Sequence, residues 1–195
     1  MAVSELRAAA ELVGMLFAEP RSLTLLALML AAAICDLRTR RIPNRLTFGG
    51  TTAALLLSLA APHHGGGLLW ALGGLALGLV LMLPLYLLRA LGGGDVKLMA
   101  MAGAFLGPEG TWQAVIFVFV VGGILAMVYA LWHRVVGKLL RNAFKTVQLL
   151  FMTVAAGIRP DARASAAQSV GSLPYGVSIA LGTAAFLVAR QFTWV

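Results

Sequence analysis

The sequence predicts an all-α protein, a polytopic bundle of about six membrane-spanning helices, and three observations carry that expectation. Hydrophobic residues make up 61% of the 195 and charged residues only 11%, against roughly a quarter charged in soluble domains. The apolar residues gather into runs that approach or reach the ~20 residues a spanning helix needs. The 15 Lys and Arg concentrate in alternate connections between those runs, as expected when cytoplasmic loops carry the basic excess. The length suits one integral-membrane domain over residues 1–195. The net charge of +8 is then explained by orientation in the bilayer, and no nucleic-acid partner is expected.

At the N-terminus, Val3, Leu6, Ala10, Val13 and Phe17 recur at helical spacing between Glu5, Arg7 and Glu11. This predicts an amphipathic segment over residues 1–19, without the basic start and small-residue cleavage site of a signal peptide. Pro20 either ends it or opens the next helix at its first turn. Leu23 to Cys35 is the first strongly apolar run. It is short for a span, so its flanks must contribute, and a helix continuing through Asp36 and Leu37 keeps a carboxylate near membrane depth. Pro43 disfavours helix at Ile42 and separates this span from a second over Leu46 to Ala61. Cys35 is the single cysteine, which excludes an internal disulfide and a paired-cysteine zinc site.

The uncharged turn containing His63 and His64 leads to a third span over Leu68 to Leu88, where Pro84 is a candidate kink. The glycines Gly92 to Gly94 then turn the chain into a short fourth helix, Asp95 to Leu106. A turn at Gly107 to Gly110 precedes a fifth span over Thr111 to Trp132. Arg134, Lys138, Arg141 and Lys145 fall on one helical face, which suits a helix lying on the membrane surface within a cytoplasmic basic region over residues 133–172. Whether the apolar stretch around 144–158 spans or lies on the membrane stays open. The last span begins near Tyr175. Placing the first loop in the cytoplasm puts 12 Lys and Arg inside and leaves Arg7, Arg21 and Arg190 outside, with both termini outside. A re-entrant fourth segment would carry Arg134 to Lys145 outward, so parity disfavours it.

Under this topology Asp36 ends a helix running inward and Asp95 begins one running outward, so both lie in one layer at the cytoplasmic edge. Two carboxylates brought close cannot readily both ionise, so one holds a proton while the other accepts one. That is the acid–base division aspartic proteolysis requires, and it needs no metal or cofactor. Each aspartate also has a plainer explanation. Gly-Gly-Gly-Asp before an apolar run is what a helix N-terminus looks like, and Asp36 can form a solvated pair with Arg40. Lys97 is either a support for ionisation of one aspartate or a topology anchor. His63 and His64 lack further ligands for a metal site and read as a solvated turn. The same carboxylates could instead serve a proton-coupled transporter, but no acidic residue lies between the ends of the spans.

At these two motifs the sequence resembles the type IV prepilin leader peptidases, membrane aspartic proteases with a G-x-G-D motif. DLRTRRIPN, Asp36 to Asn44, resembles the stretch holding the family's first aspartate, and GGGDVKLMAMAGAFLG, Gly92 to Gly107, the stretch holding its second. LPYG, Leu173 to Gly176, resembles a pattern at the start of the family's last helix. The resemblance implies cleavage of a short basic leader from prepilins at the cytoplasmic face of the bacterial inner membrane, after a glycine that precedes the pilin's apolar helix. It implies Asp36 and Asp95 as the catalytic pair, and Gly92 and Gly94 as the motif glycines. Ile42, Pro43, Asn44, Lys97, Pro174, Tyr175 and Gly176 match positions expected to shape the site. The chain lacks the paired-cysteine cytoplasmic domain of longer members. It therefore resembles the short, peptidase-only type associated with Flp or tight-adherence pili, without methyltransferase activity. Implied partners are the prepilin, the bilayer and other pilus-assembly proteins. An inactive assembly scaffold that retains the motifs is the alternative. A presenilin-type protease shares G-x-G-D, but the RIPN context of Asp36 favours the prepilin enzyme.

Overall fold

In a computed structural model of the protein, the described residues are 19–60, 67–88, 90–134, 136–137, 141, 144, 147–148 and 175–191. All but the last residue of the amphipathic segment expected over 1–19, the histidine turn, Arg89, Pro174 and most of the basic region lie outside them. The described residues form five helices: α1 (Pro20–Thr39), α2 (Asn44–Ala60), α3 (Gly67–Leu87), α4 (Gly93–Trp132) and α5 (Tyr175–Gln191). Pro20 takes the first turn of α1, where its missing N–H costs nothing. The helix continues through Asp36 to Thr39, and Arg40 caps it in the left-handed conformation with its N–H on the Asp36 carbonyl at 2.8 Å. Residues 41–43 are irregular. The Pro43 carbonyl accepts from the Leu46 N–H at 3.0 Å as α2 begins. Pro84 lies inside α3 without ending it.

Helix α4 is broken at Gly107, whose φ of 70° and ψ of 179° leave helical geometry, giving a first arm (residues 93–106) and a second arm (108–132). The expected four-residue turn shrinks to Gly107 alone because Pro108 already suits a first helical turn. At this break the chain doubles back. The first arm runs antiparallel to α3, with Gly78 against Met99 and Gly74 against Gly103 and Gly107. The second arm runs antiparallel to α5, with Gly110 against Phe186, Val118 against Gly182 and Gly122 against Ser178. Tyr175, at the start of α5, is within the electrostatic reach of Asp95 and also lines a cavity with Trp132. Both ends of the 40-residue α4 therefore lie at one end of the bundle, whereas a straight helix of that length would separate them by about 60 Å.

The core is built mainly from the first arm, where Leu98, Met99, Met101, Ala102 and Ala104 are fully buried between α3, α2 and α5. At the far end of the bundle Arg21 is buried, donates to the Ser58 hydroxyl at 3.1 Å and lies 5.4 Å from the Trp70 ring centroid. That cation–π and hydrogen-bonded contact ties α1, α2 and α3 together. Trp70 in turn packs on Gly107, where an added Cβ would overlap the indole.

Three helices, Pro20–Thr39, Gly67–Leu87 and Gly93–Trp132, are long and apolar enough to cross a membrane. Helices α2 and α5 have 17 residues each, about 25 Å of rise, a little under the ~30 Å hydrocarbon thickness. Many of the large apolar side chains face outward, among them Leu30, Leu69, Val120 and Leu131, as lipid contact requires. Gly107→Ala should be destabilising by about 2 kcal/mol or more, from overpacking against Trp70 and a positive φ. A lowered thermal midpoint in detergent would register this, while Gly49→Ala, with nothing within 4 Å, should leave the midpoint in place.

Candidate active site

Helix α1 carries Asp36 sixteen residues beyond Pro20, about 24 Å along its axis, so the carboxylate sits one turn short of the helix end. The side chain is only 6% exposed, which sets aside the solvated surface pair as its environment. Its partner comes from the far end of the sequence. The Gly176 N–H, in the first turn of α5, donates to Asp36 Oδ2 at 2.8 Å. A helix N-terminus offers free N–H groups and a favourable dipole to an anion, which explains why α5 starts there. A charge-assisted hydrogen bond contributes about 1.5–3 kcal/mol, less than the several kcal/mol that burying a carboxylate costs. Asp36 is therefore not explained by stability. The approach is close enough that a Cβ on residue 176 would lie 2.8 Å from Asp36 Oδ2.

Asp95 lies in the first turn of α4, where its Oδ2 accepts the Gly92 N–H at 3.0 Å. The capping role expected of Gly-Gly-Gly-Asp is thus real, and it coexists with a second feature. Asp95 lies within the field of the Asp36 carboxyl, and the Tyr175 hydroxyl within that of Asp95. The two aspartates and the start of α5 share one end of the bundle. Each carboxyl has Oδ2 fixed by a glycine N–H, leaving Oδ1 outside those bonds. Such an arrangement can position a water between an acceptor and a donor.

The remaining predicted residues divide. The turn after α1 folds over the start of α4, with the Ile42 side chain 3.3 Å from where a Cβ on Gly94 would lie. A Cβ on Gly92 would lie 3.2 Å from Asp95 Oδ2, whereas Gly93 faces Tyr86. Lys97 Nζ donates to Asn44 Oδ1 at 2.9 Å and lies 5.4 Å from the Phe48 ring centroid. Its hydrogen bond thus joins α4 to the start of α2 and does not reach for an aspartate. Pro43 opens α2 by its carbonyl, and Pro174 lies outside the described residues. Sequence reasoning missed Tyr86 and Phe48, whose aromatic character alone gave no signal among so many apolar residues. Among the described residues no group of three His, Cys, Asp or Glu is placed to hold a metal ion.

A helical bundle with helices long and apolar enough to cross a membrane and two carboxyls at one end defines a class, the helical membrane proteins with an acidic pair. A family model described as the type IV leader peptidase family matches residues 23–131, more than half of the chain and including both aspartates. The chain belongs to that family, and it is a membrane protein of the peptidase class. The match ends before α5, so the glycine that holds Asp36 is supplied from beyond the matched residues. Neither the curated proteins nor the solved structures contain a match to the chain.

Gly176→Ala, whose Cβ would lie 2.8 Å from Asp36 Oδ2, should lower peptidase activity by about 100-fold, the cost of an ångström-scale displacement at the acidic pair. It should lower the thermal midpoint in detergent as well, because the buried contact must shift. The Lys97 and Asn44 variants test the clamp beside it. Lys97→Met and Asn44→Leu remove the same bond, so the double variant should lose no more activity than the more affected single variant. Independent, multiplying losses would show that the bond is not what either residue contributes.

Proposed function

We propose that this protein is a prepilin peptidase, an aspartic endopeptidase that removes the basic leader from prepilins at the cytoplasmic face of the bacterial inner membrane. Asp36 and Asp95 are its acid–base pair. The observation that carries this reading is that Asp36, buried in α1, and Asp95, at the start of α4, come to one end of the bundle, where the Gly176 N–H holds Asp36 and the turn after α1 packs on Gly94. Family membership supports the reaction class.

In the proposed mechanism one carboxylate accepts a proton from a water whose oxygen attacks the scissile carbonyl carbon, while the other, protonated, aspartic acid donates its proton to the carbonyl oxygen. The tetrahedral gem-diol intermediate then collapses: the newly protonated carboxyl delivers a proton to the leaving amine, and a hydroxyl of the intermediate returns its proton to the other carboxylate as the carbonyl re-forms. The C–N bond breaks, and the pair returns to one proton between two carboxyls. The hydrogen bond to Asp36 Oδ2 from Gly176, and that to Asp95 Oδ2 from Gly92, fix the two groups so that Oδ1 of each turns to the substrate.

The alternation of helix ends supports six spans, in which the two arms of α4 count separately and α2 and α5 cross despite their shorter length. The acidic pair then lies on the side carrying the basic loops. The whole chain is read as one integral-membrane domain, with residues 133–172 as a cytoplasmic basic region at the membrane surface. The peptidase-only, Flp-pilus type, without methyltransferase activity, is part of this proposal.

Asp36→Asn and Asp95→Asn should each reduce cleavage of a co-expressed prepilin by about 10²- to 10⁴-fold, without loss of the membrane protein. The size shift of the pilin on a gel reads this directly. Full cleavage by both variants would remove the acid–base pair from the account.

A further inference from the structure

The second arm of α4 and α5 touch closely from Gly110 to Gly122, where Phe186, Gly182 and Ser178 face them in turn. Beyond Gly122 the first turn of α5, Tyr175 to Ser178, borders the arm across an opening. The opening is a cavity of about 380 Å³ bordered by Leu125, Val128, Tyr129 and Trp132 on one side and Tyr175 on the other. From Gly122 to Trp132 it runs ten residues along the arm, about 15 Å. Val128 is 54% exposed and Trp132 84%, so the groove opens sideways, to where lipid would be.

Its location links it to the acidic pair. Tyr175 borders the groove and lies in the field of Asp95, and the next residue, Gly176, holds Asp36. We propose that this groove receives one face of the substrate's apolar helix and holds that helix alongside the two aspartates. The inference rests on the prepilin-peptidase reading and extends it to the part of the substrate that is not cut.

Three features favour this occupant over a lipid chain or a second copy of the protein. The described lining holds no Asp, Glu, Lys or Arg and is apolar apart from Tyr129, His133, Tyr175 and Ser178, and in the six-span reading the arm crosses the bilayer, so the occupant is apolar and arrives through the bilayer. Its volume accepts side chains from one face of a helix, whereas a whole helix is about 10 Å across. The inner end of the groove meets the acidic pair, which places the end of a docked helix beside the reacting atoms. Only a chain whose scissile bond adjoins an apolar helix uses both features at once. Docking in this way fixes the substrate before the bond is cut, so it acts on binding more than on the chemical step.

The test compares two substrates of the full-length enzyme in lipid nanodiscs. One is a prepilin with its entire apolar helix, and the other carries the same leader and cleavage site with that helix removed. Val128→Trp and Leu125→Trp fill the groove. Each should raise KM for the long substrate by about tenfold, with kcat changed less than about twofold, and should leave cleavage of the short one unaltered. A benzophenone side chain at position 128 in an Asp95→Asn background should cross-link to the prepilin's apolar helix. Equal loss on both substrates, no loss on either, or cross-links only to residues 149–158 of the enzyme, to lipid or to a second copy would overturn the groove as the docking site. Failure of the wild-type enzyme to cut either substrate would instead overturn the peptidase reading beneath it.

Discussion

The structure depends on one costly placement, the Asp36 carboxylate buried near the end of an apolar helix. Its burial is tolerated because α5 presents a free N–H at Gly176, 2.8 Å from Oδ2. That contact joins positions 140 residues apart in the chain and fixes where α5 must begin. It also places Tyr175 at the acidic end of the bundle. One hydrogen bond therefore sets the relation of three elements, although it does not by itself offset the cost of burying the charge.

Bringing Asp95 to the same end requires α4 to reverse. Gly107 makes that possible because its left-handed φ and missing side chain leave room for Trp70. The first arm can then lie against α3, with Gly74 and Gly103 meeting backbone to backbone, which is how helices approach closely where lipid supplies no hydrophobic drive. The Arg21, Ser58 and Trp70 contact closes the opposite end of the bundle. The acidic end is thus held by hydrogen bonds to glycine N–H groups and by the Lys97 to Asn44 bond, and the other end by a buried cation. The two ends therefore use different chemistry, carboxyls on glycine N–H groups at one and a guanidinium on a hydroxyl and an indole at the other.

Much of the fold was legible in the chain. Apolar run lengths located α1 to α3 and the start of α5 within a few residues, and Gly107-Pro108 marked the break in α4. Basic-residue placement led to the expectation that Asp36 and Asp95 share one layer, and helix packing brings them to one end of the bundle. The glycine seam did not, since sequence shows small residues but not which helix each one meets. Arg21 could be counted as an outer charge, yet nothing local to it announced a buried bond to Ser58. Lys97 was read with two possible duties near the aspartates, and only its distance to Asn44 revealed the clamp. Gly176 was picked out through the LPYG pattern, but its role as the partner of Asp36 required the fold.

The central claim is that the two carboxyls act on one bond. The most direct measurement is an experimental structure of the full-length protein holding an uncleaved prepilin, captured with Asp95→Asn. The account predicts the scissile carbonyl between positions 36 and 95, with both side chains within about 3 Å of the attacking water or the carbonyl oxygen. A scissile bond lying elsewhere, or side chains that remain separated with substrate in place, would contradict it.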